Sequence, residues 1–444
     1  MQKKDAYQKP FGAVTTLFFM WGFMTVLVDG LVPRMKEVFD LTFWQSGLVQ
    51  FSWFLAYGIV SIPAGILLSR IGYKRGILYG LALAGVGCIL FFPAAHFRVF
   101  GVFLGALFVL AGGITLLQVA ANPYIAVLGK PERAASRLNL AQAFNSLGTT
   151  LAPIAAAVFL LSDKILSPSQ IEGLTDEQRN FYFLEEAAAV QGPFIWLGGA
   201  FFLLMVIMAS LSLPKVIGGE HITLKSMRHV LHNKRLLFGA LGIFVYVGSE
   251  VSIASYLTNY FLDLGMPAKI LANSGLSSLV DTLAGTFSGL SLDQLDDKGV
   301  VGTFVLFYWG MAMVGRFVGA YLTRVIHPSI VLATFGIGAI ILVLTSISSD
   351  GFLAMFTILG VGFFNSVMFP TIFTLALEEL GEDKPEGSGI LCTAIFGGAI
   401  FTLLVGSLRD ATGSFSIAYL VPVVGYLIIL GYGLYTRKRK PQYA

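Results

Sequence analysis

The sequence predicts an all-α membrane protein of twelve transmembrane helices arranged in two six-helix halves. Of its 444 residues, 56% are hydrophobic and only 12% are charged, whereas soluble domains carry about 25% charged residues. The apolar residues fall into twelve segments of about 20 residues, the length that an α-helix needs to cross a bilayer. The N-terminus leads straight into a full-length apolar segment, so we expect no cleaved signal peptide.

The predicted spans are separated by short connections, with three exceptions. The spans cover residues 11–33, 44–69, 73–95, 99–127, 136–162, 190–213, 236–264, 300–322, 328–348, 352–379, 385–408 and 414–436. Two long connections, 163–189 and 265–299, would lie on the outer side; the first is polar and acidic, and the second suits a short interfacial helix. The third, residues 214–235, is a basic linker that separates an N-terminal half, 1–213, from a C-terminal half, 236–444.

The distribution of basic residues predicts the topology. Most of the 29 Lys and Arg residues fall in segments on the side of the N-terminus, and cytoplasmic loops are enriched in Lys and Arg. We therefore predict that both termini are cytoplasmic, and we expect a monomer in the lipid bilayer. Because topology accounts for the basic residues, nucleic acid is not an expected partner.

The two halves also show weak internal similarity. Residues 65–75, GILLSRIGYKR, close span 2, and residues 319–324, GAYLTR, close span 8 at the corresponding place. An Asn-Pro pair at 122–123 in span 4 matches a Phe-Pro pair at 369–370 in span 10. Repeats of this kind are typical of secondary transporters. Four arginines have predicted structural or gating roles: Arg70, Arg75, Arg316 and Arg324.

Two acids lie well inside the predicted spans, Asp29 in span 1 and Glu250 in span 7. A charged group at the bilayer centre costs roughly 2.5–3.5 kcal/mol on insertion scales, and such residues usually have a function. The alternative is a structural ion pair, for which Arg316 is the cation within the spans. We predict that both acids are functional and that Arg316 is structural, capping helix ends or pairing across the halves.

Spans 4 and 5 carry polar stripes at helical spacing. Their members are Thr115, Gln118 and Asn122 in span 4, and Asn139, Gln142, Asn145, Ser146 and Thr149 in span 5. Such side chains can simply join helices, at about 0.6 kcal/mol per hydrogen bond, but two stripes on consecutive spans exceed that need. Amides both donate and accept hydrogen bonds, which suits a neutral polyhydroxylated ligand. Asn365 and Phe369 in span 10 extend the set, and Trp21 in span 1 would either stack on a sugar ring or pack against neighbouring helices.

The remaining residues do not indicate an enzyme. The five histidines lie in loops or at span ends, and Cys88 and Cys392 lie in separate apolar runs. The sequence contains no nucleophile–base pattern, phosphate-binding loop or metal-ligand spacing. We therefore expect no catalytic activity, no metal and no cofactor beyond a coupling ion.

The sequence resembles the major facilitator superfamily in its two six-span halves, its basic linker and the loop at 65–75. Three further motifs are similar to the fucose–galactose–glucose:proton symporter family: VDGLVP at 28–33, LQVAANP at 117–123 and RLNLAQAFNS at 137–146. The form of the motif at 117–123 is closer to the bacterial glucose/galactose transporters than to the L-fucose permeases. This resemblance covers the whole chain and implies a location in the bacterial inner membrane.

The resemblance implies roles for single residues. In fucose permeases, acids in spans 1 and 4 serve proton coupling and sugar binding; Asp29 matches the first, whereas Gln118 stands at the second. Gln142 and Asn145 match sugar-contacting positions, and Trp21 matches the aromatic residue of span 1.

The chain also departs from the family pattern. Glu250 stands where fucose permeases have Gln, and Val26 and Val28 stand where they have Asn, which argues against fucose as the substrate. Ser69 stands where the motif at 65–75 commonly has an acid, which weakens the gating ion pair expected at that loop.

The resulting hypothesis is a hexose:proton symporter that imports a glucose- or galactose-like sugar by alternating access. Sugar would bind near the bilayer midplane, and the predicted contacts are Trp21, Gln118, Asn122, Gln142, Asn145, Glu250, Asn365 and Phe369. Asp29, alone or with Glu250, would carry the proton. Alternatives are sodium coupling, a uniporter or exporter of the same fold, a membrane-embedded sugar-processing enzyme, and a sugar sensor that does not transport.

Overall fold

The computed structural model describes residues 2–38, 43–97, 99–159, 173–214, 230–287 and 290–437. Some side chains in these ranges lie outside the described part, namely those of residues 2–8, 28–38, 43–47, 50, 153–159, 176, 179–180, 183–190 and 287. The side chain of Asp29 is therefore outside the described residues, as is most of the predicted linker. Every regular element of the described part is helical.

Twelve long helical elements correspond to the twelve predicted spans. They are α1 (Gln2–Val38), α2 (Phe43–Ile71), α3 (Tyr73–Phe97), α4 (Phe100–Val127), α5 (Ala134–Phe159), α6 (Asp176–Ser210), α7 (Lys234–Asp263), α8 (Val305–Val325), α9 (Pro328–Ile347), α10 (Gly351–Asn365 and Met368–Leu377), α11 (Lys384–Thr393 and Gly397–Thr412) and α12 (Leu420–Arg437). Within the described residues, eleven stretches are long and apolar enough to cross a membrane. The remaining element is α5, whose polar stripe lowers its hydropathy.

The predicted outer loop at 163–189 was too long, because α6 begins at Asp176. A capping box starts this helix: the Thr175 backbone N–H donates to Gln178 Oε1 over 3.1 Å, and the Gln178 N–H donates to Thr175 Oγ1 over 3.4 Å. A capping box satisfies N–H groups that the first helical turn leaves unpaired. Hydropathy does not detect this polar start of the helix.

The connection at 265–299 contains more than the single short helix that its composition suits. Its elements are Met266–Leu271, Ser274–Phe287, a 3₁₀ turn at Leu292–Gln294, and Asp297–Gly302, which leads into α8. Asp281 Oδ1 accepts a 2.9 Å hydrogen bond from the Leu292 N–H. This bond ties the longest of these helices to the turn that follows it.

Glycine brings helix backbones together in the N-terminal half. A Cβ atom added to Gly22 on α1 would lie 2.5 Å from the Asn145 carbonyl oxygen on α5, and one added to Gly148 on α5 would overlap the Phe19 carbonyl oxygen on α1. Small residues at such crossings are a general feature of membrane helix packing. The α1–α5 contact therefore depends on these two glycines.

Gly148→Ala is expected to destabilise the protein because the added methyl group overlaps the α1 backbone. Overpacking of this kind typically costs about 1–3 kcal/mol, and the thermal transition in detergent should fall. Gly12→Ala on α1 is the matched control, because nothing lies within 4 Å of the added Cβ and alanine favours a helix by roughly 1 kcal/mol over glycine. An equal transition temperature in the two variants would contradict the packing argument.

The two halves contact each other on the side predicted to be cytoplasmic, called the inner side below. A Cβ atom on Gly65 of α2 would lie 2.8 Å from the Pro385 carbonyl oxygen of α11. Ser388 Oγ of α11 donates a 2.8 Å hydrogen bond to the Val119 carbonyl of α4. The Ser136 hydroxyl of α5 likewise donates to a carbonyl oxygen of α8 over 2.6 Å. Backbones of the two halves are therefore in direct contact at this side.

Basic residues satisfy polar groups at several inner helix ends. Arg137 at the start of α5 donates to carbonyl oxygens around the end of α4, including that of Ile125 over 3.2 Å. Arg235 on α7 is 1% exposed and binds Glu378 and Glu379 at the end of α10. The sequence does not single out Arg235, because it stands at the edge of a basic linker.

Three of the arginines with predicted gating roles have no such contact. Arg70, Arg75 and Arg324 are exposed, and no hydrogen bond or ion pair joins them to another residue of the described part. Their gating role stays a prediction.

Candidate functional site

The predicted polar residues of the N-terminal half meet where α4, α5 and α2 pack. Gln142 Nε2 on α5 donates to Asn122 Oδ1 on α4 over 3.3 Å, and both side chains are buried. Gln118 lies one turn before Asn122, and its Nε2 donates to the Tyr57 hydroxyl of α2 over 2.6 Å. Three of the predicted amides therefore form one polar surface. Tyr57 was missed by the sequence reasoning.

Asn145 and Trp21 make contacts that also serve helix packing. Asn145 Nδ2 donates a 2.9 Å hydrogen bond to the Phe18 carbonyl of α1. Trp21 is 5% exposed, and its ring lies 5.3 Å from the Phe18 ring, centroid to centroid. Asp29 follows Trp21 by about two turns of α1. The sugar contacts of Trp21 and Asn145, and the proton site at Asp29, stay predictions.

The polar residues of the C-terminal half form a chain of hydrogen bonds across α7, α8 and α10. Asn365 Nδ2 donates to the Tyr308 hydroxyl over 2.7 Å, and that hydroxyl donates to the Glu250 carbonyl oxygen over 3.2 Å. The Glu250 side chain is 8% exposed. Tyr308 thus positions the two predicted site residues relative to each other. The sequence contained a signal for Tyr308: a buried tyrosine inside an apolar span needs a hydrogen-bond partner for its hydroxyl.

The α10 helix is interrupted beside this chain. Its first piece ends at Asn365 and its second begins at Met368. Irregular backbone at membrane depth is tolerated where protein or a cavity surrounds it, and discontinuous helices often form transporter binding sites. Phe369 lies just beyond the break, and its ring packs 5.6 Å from the Phe373 ring. Its described contact is therefore one of packing.

Arg316 connects the two halves at the level of Glu250. Its Nη1 donates to Ser146 Oγ on α5, one helical turn beyond Gln142. Glu250 and Tyr246 are its electrostatic neighbours on α7. Two roles were predicted for Arg316, capping helix ends and pairing across the halves. Its hydrogen bond to Ser146 is a contact of the second kind. It places a positive charge beside the candidate acid.

Both halves present buried polar atoms that have no hydrogen-bond partner among the described residues. Those that belong to predicted site residues are Asn122 Nδ2, Glu250 Oε1, Arg316 Nε and Asn365 Oδ1. A buried polar group left unpaired costs about 1–3 kcal/mol. The set contains both donors and acceptors, which are the two functions of a sugar hydroxyl. The arrangement can therefore bind a neutral polyhydroxylated ligand between the halves.

Buried polar groups in both halves, a contact between the halves through Arg316 and Ser146, and a broken helix are the construction of a secondary transporter. Comparison with known proteins identifies the family. The model of the Major Facilitator Superfamily matches residues 12–301, and the chain belongs to this superfamily. The predicted fold class and the expectation of a transporter rather than an enzyme are confirmed.

Individual relatives match nearly the whole chain. It is 47% identical to the glucose/galactose transporter of Brucella abortus over 439 residues, 98% of this chain and 96% of the relative. It is 31% identical to the L-fucose-proton symporter of Escherichia coli over 438 residues, 96% and 94% of the two chains. A solved structure of the transporter FucP in the outward conformation has a TM-score of 0.86 at 29% identity, covering 98% of this chain and 100% of that one. The resemblance inferred from the three motifs is confirmed.

Proposed function

We propose that the protein imports a glucose- or galactose-like hexose together with protons. The observation that carries the proposal is the set of buried, unpaired polar atoms contributed by both halves. A hexose presents hydroxyl groups around its ring and can satisfy donors and acceptors on both sides at once. The names of the relatives, a glucose/galactose transporter and an L-fucose-proton symporter, support the same substrate class and coupling ion.

Alternating access would move the halves around the bound sugar. Their contacts on the inner side close that route in this conformation, so sugar would enter from the opposite side. Binding to groups of both halves favours their closure around the sugar. Separation of α2 from α11 and of α5 from α8 would then open the inner side.

Proton coupling is assigned to Asp29, with Glu250 as the second acid of the membrane interior. Enclosing the carboxyl between the halves costs less free energy when it is neutral than when it is charged, because desolvation penalises the ionised form. If protonation favours the sugar-binding state, sugar must favour protonation by the same factor. We place the protein in a bacterial inner membrane with both termini cytoplasmic, in accordance with its Lys and Arg distribution.

Uptake by proteoliposomes tests this function directly. Glucose, galactose, mannose, fucose and N-acetylglucosamine would be supplied in turn under an imposed pH gradient or an imposed sodium gradient. We expect glucose or galactose to accumulate under the pH gradient, and a protonophore to abolish the accumulation. Accumulation under the sodium gradient alone would show that the coupling ion is sodium and not the proton. Saturable sugar binding without flux would identify a sensor that does not transport.

Gln118→Ala is expected to weaken sugar affinity about three- to tenfold, because a neutral hydrogen bond contributes roughly 0.5–1.5 kcal/mol. The measurement is the equilibrium dissociation constant of the sugar in detergent. Ser252→Ala is the control: among the described residues, this buried hydroxyl donates to the Ser249 carbonyl of its own helix, over 3.2 Å, and its loss should leave affinity unchanged. An unaltered affinity in Gln118→Ala would make Gln118 a packing residue.

A further inference from the structure

Besides Glu250, a second acid is buried in the described part of the chain, outside the candidate sugar site. Glu386 is 0% exposed and stands in the first turn of α11. Neither of its carboxylate oxygens has a hydrogen-bond partner among the described residues. Glu386 stands at the start of the predicted span 385–408, so it was not among the two acids predicted to lie well inside the spans. Its burial follows from the packing of α11 on the other half.

Glu386 lies where the two halves touch on the inner side. A Cβ atom on Gly65 of α2 would lie 3.4 Å from the Glu386 Cα and 2.8 Å from the carbonyl oxygen of Pro385. One helical turn along, a Cβ atom on Gly389 would lie 2.7 Å from the Ser61 carbonyl oxygen. The carboxyl is therefore covered by the opposite half, and it is uncovered when α2 and α11 separate.

The groups that face Glu386 do not neutralise a negative charge. The polar neighbours are the Ser69 hydroxyl of α2 and the backbone N–H of Glu386 itself. Both are uncharged, and the Ser69 hydroxyl donates its proton to the Ile66 carbonyl over 2.7 Å. From α3, the Tyr73 phenol is an electrostatic neighbour, and it is neutral. From the turn before α11, the neighbour is Asp383, which has the same sign of charge.

None of the nearby cations forms an ion pair with Glu386 in the described part of the chain. Lys74 donates to the carbonyl oxygens of Ala209 and Leu211, over 2.8 Å each. From α7, Arg235 is held by the two glutamates at the end of α10. Arg70 is exposed and forms no ion pair within the described part. Lys384 lies two residues before Glu386 and lines a cavity of about 390 Å³ between the halves, without an ion pair to the carboxyl.

A carboxylate removed from water without a partner is strongly disfavoured, whereas the neutral acid is tolerated. A position in the first turn of a helix favours the anion only weakly, since the effect of the helix dipole is small beside that of desolvation. The closed interface therefore favours protonated Glu386. When the halves separate, water solvates the carboxyl and the ionised form becomes the favoured one.

We infer that Glu386 is a second protonation site of the transport cycle: it takes a proton from inner-side water as α11 closes on α2, and returns that proton when they separate. No net proton crosses the membrane through this step, so the site is distinct from the coupling acid. Because the closed state binds the extra proton, closure is favoured at low pH and weakens as the inner pH rises, by at most about tenfold per pH unit for one proton. The inference rests on alternating access and not on the identity of the sugar.

The test measures opening of the inner side without sugar. A reporter cysteine, Ser136→Cys, stands at the separate α5–α8 contact, and its labelling by a maleimide would be followed between about pH 6 and pH 8. The native Cys88 and Cys392 are buried and would be replaced by alanine to remove background. Dividing each rate by that of the unfolded protein at the same pH removes the titration of the thiol itself.

In the reporter protein, corrected labelling is expected to rise with pH. Glu386→Gln mimics the protonated acid, so its labelling should stay at the low-pH level throughout. Glu382→Gln, an exposed acid four residues earlier, should keep the rise. A full pH response in Glu386→Gln, or rapid labelling of it at every pH, would overturn the inference. If that variant does not fold, Glu386→Met supplies the neutral side chain, and Glu386→Asp should retain the response.

This experiment separates the inference from the proposed function. Failure of every sugar in the uptake assay would refute hexose symport and leave the labelling result unaffected. If labelling of the reporter cysteine did not depend on pH in the protein that keeps Glu386, the role of Glu386 would be refuted and the conclusion on hexose uptake would stand.

Discussion

Asp29→Asn is expected to abolish accumulation of sugar driven by a pH gradient and to preserve exchange of sugar across the membrane. The amide has nearly the shape of the protonated acid but cannot release a proton. A gradient of one pH unit supplies about 1.4 kcal/mol per proton, which supports roughly tenfold accumulation. In the variant, the ratio of inner to outer sugar should fall to about 1.

The two readouts distinguish a coupling residue from a structural one. Loss of both accumulation and exchange would indicate a damaged protein, whereas loss of accumulation alone is the result expected of an uncoupled transporter. Asp293→Asn is the matched control, since Asp293 is an exposed acid in the outer connection and its loss should change neither readout. Unchanged accumulation in Asp29→Asn would remove Asp29 from the coupling mechanism.

Glu250→Gln is expected to lower sugar affinity by about 10- to 100-fold, because hydrogen bonds to charged groups contribute roughly 1.5–3 kcal/mol. Its carboxylate is buried, has one oxygen without a partner in the described part, and lies beside the positive charge of Arg316. The substitution also leaves that cation without its negative neighbour. Affinity would be measured by equilibrium binding, with thermal stability followed in parallel.

A double-mutant cycle tests whether Glu250 and Arg316 act as a pair. Arg316→Gln alone leaves a buried carboxylate uncompensated, and we expect it to cost about as much as Glu250→Gln. Residues in contact through one network usually show coupling of about 0.5–3 kcal/mol, so the double variant should lose much less affinity than the two single losses combined. If the two losses of binding free energy were strictly additive, the two residues would contribute independently. The role of Arg316 would then be its contact with Ser146 and not a pairing with Glu250.

Local sequence features were sufficient for the positions of the helices and for much of the candidate site. Hydropathy depends on each segment alone, and it located all twelve spans even where a boundary was displaced, as at the start of α6. Helical periodicity placed Gln118, Asn122 and Gln142 on facing stripes, and they share one polar surface in the structure. The cost of an acid in an apolar span likewise singled out Glu250, which is buried among polar groups.

The partners of those residues could not be read from the chain, because they lie on helices far apart in sequence. Arg316 binds Ser146, 170 residues away, and Tyr308 links Asn365 to Glu250. Glu386 stands at the end of a predicted span, and it is buried because α2 of the other half covers it.

The sequence by itself determined that this protein is a twelve-helix transporter with polar stripes on its fourth and fifth helices and an acid, Glu250, within its seventh, since composition and periodicity are properties of single helices. The tertiary structure alone decided which of those groups are paired, which stay unpaired, and which acid is covered where the halves meet. Those outcomes depend on how helices pack against one another, and that packing is a property of the whole fold.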